Sequence, residues 1–176
     1  TCTVVIRRSH HIASLASYHE RATQQGLMML LACSDPNNAS VAPFGGLDAV
    51  FTPNPISPGI PTPGTPIVMD ISSSATTNGL TGRLHAEGGK LPAPWVIDGH
   101  GHPSDDPAVL FQEPKGTILP LGGLDSGHKG YGLSLPAWGV GYGWSWPMAF
   151  GAILALAGAW FARAEVRPDD ASAAQP

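Results

Sequence analysis

Apolar and polar positions fall into blocks along the first 38 residues. Thr3 to Ile6 is β-branched and apolar and predicts a strand, which the polar run Arg7, Arg8, Ser9, His10, His11 ends. From Ala13 to Gln25, Leu15, Ala16, Tyr18 and Ala22 recur at helical spacing, and Gly26 is a natural stop. Leu27 to Ala32 is an apolar run closed by the turn chemistry of Ser34, Asp35, Pro36, Asn37 and Asn38. Strand, helix, strand predicts a βαβ unit with parallel strands. The His10-His11 and Ser34-Asp35 loops then leave the carboxyl ends of neighbouring strands, the edge where open α/β sheets bind ligands.

Val41 to Pro66 is broken by Pro and Gly and predicts short strands joined by rigid turns. Pro66 to Ile71 reads as a buried strand ending near Asp70, and the hydroxyl-rich Ser72 to Gly79 as the start of a short helix. Trp95 to Asp98 predicts another strand, Gly99 to Asp106 a polar turn, and Thr117 to Gly123 leads into Gly127-His128-Lys129-Gly130-Tyr131-Gly132. No internal repeat is present.

Composition narrows the function classes. Of 176 residues, 43% are hydrophobic and only 12% charged, which excludes high-net-charge disorder and a coiled coil; 22 Gly and 18 Pro without a period exclude collagen. A net charge of −4 with no basic stripe argues against a nucleic-acid partner. Cys2 and Cys33 cannot form a disulfide framework and read as reduced, buried thiols of a cytoplasmic protein. Dinucleotide G-x-G-x-x-G, P-loop, G-x-S-x-G and H-E-x-x-H signatures are all missing. His100 and His102 beside Asp98 match no closed metal site, so no metal is expected there. His10 and His11 stand just before a helix, whose positive end favours a neutral imidazole able to exchange one proton with a substrate oxygen; capping or packing is the plainer reading.

Longer blocks then occur in a definite order. These are Arg8-Ser9-His10-His11-Ile12-Ala13-Ser14-Leu15, Ser34-Asp35-Pro36, Ala42-Pro43-Phe44-Gly45-Gly46, Thr52-Pro53-Asn54-Pro55, Asp70-Ile71-Ser72, Asp105-Asp106-Pro107, Leu119-Pro120-Leu121-Gly122-Gly123 and Lys129-Gly130-Tyr131-Gly132-Leu133. Together they resemble the malate/L-lactate dehydrogenase family. The resemblance implies a non-Rossmann α/β fold with a mixed sheet, NAD or NADP as cofactor, a small 2-hydroxy or 2-oxo acid (or cyclic imino acid) as substrate, and a homodimer. It implies that His11 exchanges the proton with the substrate oxygen. It puts cofactor contacts on Ser34, on Asp70, Ile71 and Ser72, and on Lys129 and Gly130. Strand-end hydroxyls and amides suit ribose and phosphate oxygens, and Lys129 brings a cation where glycines let the backbone approach. The structural alternatives are a simple turn at Ser34-Asp35-Pro36, a capping role for Asp70 on the segment after it, and a solvated Lys129.

Three departures accompany the resemblance. Relatives carry Phe-Gly where Ile12-Ala13 stand, and the Gly26 to Pro36 interval is about one residue shorter. The family is also longer: a Ser-His-Gly block with a basic residue, and the C-terminal part, have no counterpart here. Thr1 is not Met and starts inside an expected strand, so the chain reads as a fragment.

The end of the chain differs. Gly130 to Ala162 is 33 residues without Asp, Glu, Lys or Arg and holds four of the five Trp. Within it Trp144 to Ala162 is 19 uncharged residues, about 28 Å as a helix, with Trp near both ends and Arg163 and Arg167 beyond. The expected organisation is a partial cofactor-binding domain over 1–135, an apolar helical segment over 136–162 and a polar disordered tail over 163–176. The apolar segment reads as membrane-spanning, as a buried soluble helix, or as unrelated sequence joined by frameshift or fusion. The corresponding functional readings are a cytoplasmic dehydrogenase, or an inactive, membrane-tethered remnant that binds nucleotide.

Overall fold

The computed structural model describes residues 1–35, 37–130 and 132. A 3-10 turn, Leu15–Tyr18, runs directly into the short helix α1, His19–Thr23, and Gly26 ends this region at φ 69°. Strand β1, Met29–Ala32, pairs antiparallel with β2, Ile56–Ile60, which pairs antiparallel with β3, Ile67–Val68. A second sheet has β4, Val96–Ile97, between β5, Pro103–Ser104, and β6, Thr117–Ile118, again all antiparallel. Helix α2, Asn78–Glu87, precedes the second sheet, a 3-10 turn Pro107–Leu110 lies within it, and residues 123–130 form a further helix, α3.

The expected βαβ start is corrected. Residues 3–6 join no ladder and are exposed, Val4 at 75% and Ile6 at 78%, and β1 finds an antiparallel partner 24 or more positions later. β-branched residues form a strand only where a neighbour supplies hydrogen bonds and a surface to pack on, and residues 3–6 have neither among the described residues. Gly59 and Ser57 of β2 leave room beneath the sheet for α1 instead. β3 lies within 66–71, but it is exposed rather than buried, and β5 forms inside the expected polar turn 99–106; β4 lies within 95–98, and α2 starts at the end of the hydroxyl-rich run. There Thr77 Oγ1 accepts the Leu80 N–H at 3.2 Å as N-cap, and Gly88 at φ 67° closes the helix.

The core gathers Val41, Phe51, Leu91, Val96, Leu110 and Ile118, with Leu84, Trp95 and Val109 against it. The two sheets are joined by one extended segment, residues 71–75. Ile71 exchanges backbone hydrogen bonds with Ile56, Ser73 donates to Pro53, Leu121 donates to Ser73, and Ala75 donates to Leu119. The seam is thus bonded to Pro53 and Ile56 on one side and to Leu119 and Leu121 on the other, which positions Ser72 between them.

The apolar stretch 136–162 and the tail 163–176 lie outside the described residues. Among those described, no helix is long and apolar enough to cross a membrane.

Candidate functional site

The His11 turn is held by its own backbone and by a distant carboxylate. His11 is exposed, and its Nδ1 accepts the Ala13 N–H at 3.3 Å. A neutral ring in that arrangement carries its proton on Nε2, which can donate a hydrogen bond outward. Arg8 and Ala13 on either side have φ of 57° and 60°, values that side chains other than Gly rarely adopt. Tyr18 donates its hydroxyl proton to Ile12 O at 2.8 Å. Further along, Asp70 Oδ2 accepts from Ser14 Oγ and from Ala16 N, both at 2.9 Å.

Asp70 also opens the seam. Ile71 is held in the ladder to Ile56, and half-buried Ser72 donates to Pro53 O at 3.1 Å while sharing a 2.7 Å hydrogen bond with Ser74. Gly130, in α3, donates to Leu121 O at 3.3 Å, and a Cβ on it would stand 2.4 Å from Leu121 N and 2.7 Å from Ser73 O. Only glycine fits there, so α3 presses its backbone on the seam and carries exposed Lys129 beside it. Ser34 follows β1 and is half-buried. Its neighbour Cys33 donates to Pro55 O, and its thiol is pushed above the ordinary 9.0 by burial and by the negative charge of Asp70.

The His11 turn, Asp70-Ile71-Ser72 and Gly130 thus form one connected set, while Ser34 stands outside it, next to Cys33, whose N–H goes to Pro55 O. Among the described residues no hydrogen bond links His11, Ser34 and Lys129 directly. Asp70 Oδ1 receives no hydrogen bond from a described residue. A carboxylate oxygen open to solvent, strand-end hydroxyls and an ammonium next to a glycine are a donor and acceptor set that fits a ribose diol and a phosphate. Two cavities, of about 450 and 300 Å³, are lined by residues such as Glu20 and Thr62 or His85 and Lys90, and neither includes a candidate residue. His11, Asp70, Ile71 and Lys129 are exposed, so these candidate residues lie on the surface.

Two structural contacts of the candidate site escape the sequence reading. Ser14 is the first; it stands in a quoted block, but nothing there marks its bond to Asp70. The second is the carbonyl of Pro53, which accepts from Ser72 Oγ, Ser73 Oγ and Ser73 N and organises the seam. Asp70 does cap a helix, but it is the one before it in the chain. The Asp98 turn is built around its carboxylate, which accepts from the His100 and His102 N–H groups at 2.9 Å and meets His102 Nδ1 at 3.1 Å.

The sequence profile described as Malate/L-lactate dehydrogenase matches residues 1–137. An L-lactate dehydrogenase of Cupriavidus necator is 37% identical over 139 residues, covering 77% of this chain and 39% of that protein. A malate dehydrogenase of Pyrococcus abyssi is 33% identical over 135 residues, covering 75% of this chain and 36% of that protein. The solved structure of the delta1-piperideine-2-carboxylate reductase from Pseudomonas syringae superposes with a TM-score of 0.63 at 35% identity, over 73% of this chain and 37% of that one. The chain thus spans between a third and two fifths of the length of these relatives.

Proposed function

Because the chain belongs to the malate/L-lactate dehydrogenase family, we propose that it forms the cofactor side of an NAD(P)-dependent oxidoreductase acting on a small 2-hydroxy or 2-oxo acid. The observation that carries this reading is the connected set running from the His11 turn through Asp70 and Ser72 to Gly130. When bound, the nicotinamide supplies or accepts a hydride at the substrate's C2. In reduction the imidazolium form of His11 gives its Nε2 proton to the substrate oxygen and keeps the proton on Nδ1, and in oxidation the neutral ring takes the proton back on Nε2; Nδ1 lets go of the Ala13 N–H for this step. Asp70 Oδ1 accepts from ribose hydroxyls, the Ser34 and Ser72 hydroxyls line the strand ends, and Lys129 neutralises phosphate charge beside Gly130. A homodimer and a cytoplasmic setting go with this reading, as does a domain boundary near residue 135.

Hydride transfer needs nicotinamide, substrate carboxylate and proton donor held together. The alternative reading is a membrane-tethered, nucleotide-binding remnant without turnover. Calorimetric titration of the 176-residue chain with NADH and NADPH separates the readings. Binding followed by oxidation of NADH with a 2-oxo acid supports the enzyme. Binding without turnover supports the remnant, and absence of binding contradicts both.

A further inference from the structure

Seen from Asp70, two parts of the molecule that are far apart in sequence meet on one oxygen. Oδ2 takes the Ser14 hydroxyl and the Ala16 N–H at 2.9 Å each, across 56 and 54 positions. Both donors belong to the segment that leaves the His11 turn and enters the 3-10 turn Leu15–Tyr18. Between them and His11 stands Ala13, whose N–H goes to His11 Nδ1 at 3.3 Å and whose φ is 60°. A backbone conformation of this kind persists only where its surroundings hold it. Ser14 N-terminal to the helix makes no cap bond of its own to that helix, so its hydroxyl is committed to Asp70.

We propose that Ser14 and Asp70 form a clamp that keeps Ala13 in its left-handed conformation and so holds the His11 ring with Nδ1 accepting and Nε2 facing outward. Ser14 is then a positioning residue for His11: in this resting tautomer Nε2–H donates a hydrogen bond to a substrate oxygen, and release of Nδ1 from the Ala13 N–H precedes proton exchange. The functional meaning of the clamp rests on the reading of His11 given above, whereas the clamp itself does not. Charge-assisted hydrogen bonds from a hydroxyl and an amide to one carboxylate oxygen are strong enough to set a local conformation. They also make the turn responsive to whatever engages Oδ1 of the same carboxylate.

The test uses the full chain labelled with 15N, in the wild-type form and as Ser14→Ala, Ser14→Thr and Asp70→Ala. Long-range 1H–15N spectra report which ring nitrogen of His11 carries the proton, and hydrogen exchange reports the Ala13 and Ala16 amides. The wild type should show one His11 tautomer, protonated on Nε2. In Ser14→Ala the Ala13 amide should exchange about tenfold faster and His11 should become a mixture of tautomers. Asp70→Ala should do this to Ala13 and Ala16 together, and Ser14→Thr should restore the wild-type signature. The ring of His19, buried elsewhere against β2, serves as a control for an intact fold. An unchanged His11 tautomer and Ala13 exchange rate in Ser14→Ala, with His19 unaltered, overturns the clamp. None of these readouts uses cofactor or turnover, so a chain that binds no NADH yet keeps these signals refutes the dehydrogenase reading and leaves the clamp supported.

Discussion

The ring of His19 fills the space that a side chain on Gly59 would need: a Cβ there would stand 2.5 Å from His19 Cγ and Nδ1. His19 is fully buried, and its Nε2 lies 2.7 Å from Ser57 Oγ, whose hydroxyl in turn donates to Met69 O. With the serine proton directed at Met69, the imidazole must donate from Nε2. One histidine thus ties α1 to β2 and β3, packing on the bare backbone of a glycine. Gly59→Ala should push the ring out and cost about 2–3 kcal/mol, read as a lower urea midpoint with an unchanged slope.

Ala13 offers the opposite case. It holds φ 60° with a Cβ present, at a position where the family pattern has glycine. Ala13→Gly should remove that strain and stabilise the chain by about 0.5–1 kcal/mol, even though glycine raises the entropy of the unfolded chain. Thermal unfolding monitored by circular dichroism checks the sign, and a lower midpoint would show that the turn is not strained as described.

At Gly130 the obstacle is backbone on both sides, Leu121 N at 2.4 Å and Ser73 O at 2.7 Å from a built Cβ. No rotamer change can relieve it. Gly130→Ala should therefore lift α3 from the seam, destabilise by roughly 3 kcal/mol and weaken NADH binding at least tenfold. Denaturant unfolding and calorimetry report the two effects separately.

Asp98 makes stability depend on pH on the acid side. The His102 backbone N–H, followed by the His100 N–H and the His102 ring, holds its carboxyl below the ordinary 3.8 against the opposing effect of burial. A carboxyl lowered by folding contributes stability above its unfolded value, and that contribution disappears as pH falls through the folded value. The gap in melting temperature between wild type and Asp98→Ala should thus be constant from pH 5 to 7 and shrink below about pH 4. A gap that stays constant down to pH 2 would contradict this assignment.

Local chemistry was the legible part of this molecule. Gly26 as a stop, a helix starting at the hydroxyl-rich run, and short strands at 67–68 and 96–97 all follow from residue type and spacing. Strand pairing was not legible. Residues 3–6 have strand composition, but the partner of β1 is Ile56–Ile60, one of the short strands expected in 41–66, and nothing in its composition says which strand it pairs with. Gly59 is small because His19 lies over it, a reason visible only in three dimensions. At the candidate site the motif order located His11, Asp70 and Gly130, while the bond from Ser14 to Asp70 spans 56 positions and leaves no periodic trace. Ala13 shows both sides of the matter: its departure from the family pattern was readable, and its meaning needed a φ value.

Exposed Leu30, Ile67, Met69 and Ile71 lie on one face of β1 to β3, following from the register that sets Leu30 opposite Pro58 and Ile67 opposite Ile60. Leu30→Lys with Ile67→Lys should lower dye binding to exposed apolar surface without moving the His19 ring signals. A shift of those signals would mean that the face packs against something the fold requires.

The central claim is that the edge running from the His11 turn to Gly130 holds a nicotinamide cofactor. Its most direct test is the map of amide shifts produced by NADH in a 1H–15N spectrum of the full chain. The account predicts that the shifts concentrate on Ser34, Asp70, Ile71, Ser72 and Gly130, with His11 affected through its turn. Shifts confined to the α2 and Pro107–Leu110 side of the molecule, or none at saturating NADH and NADPH, would contradict it.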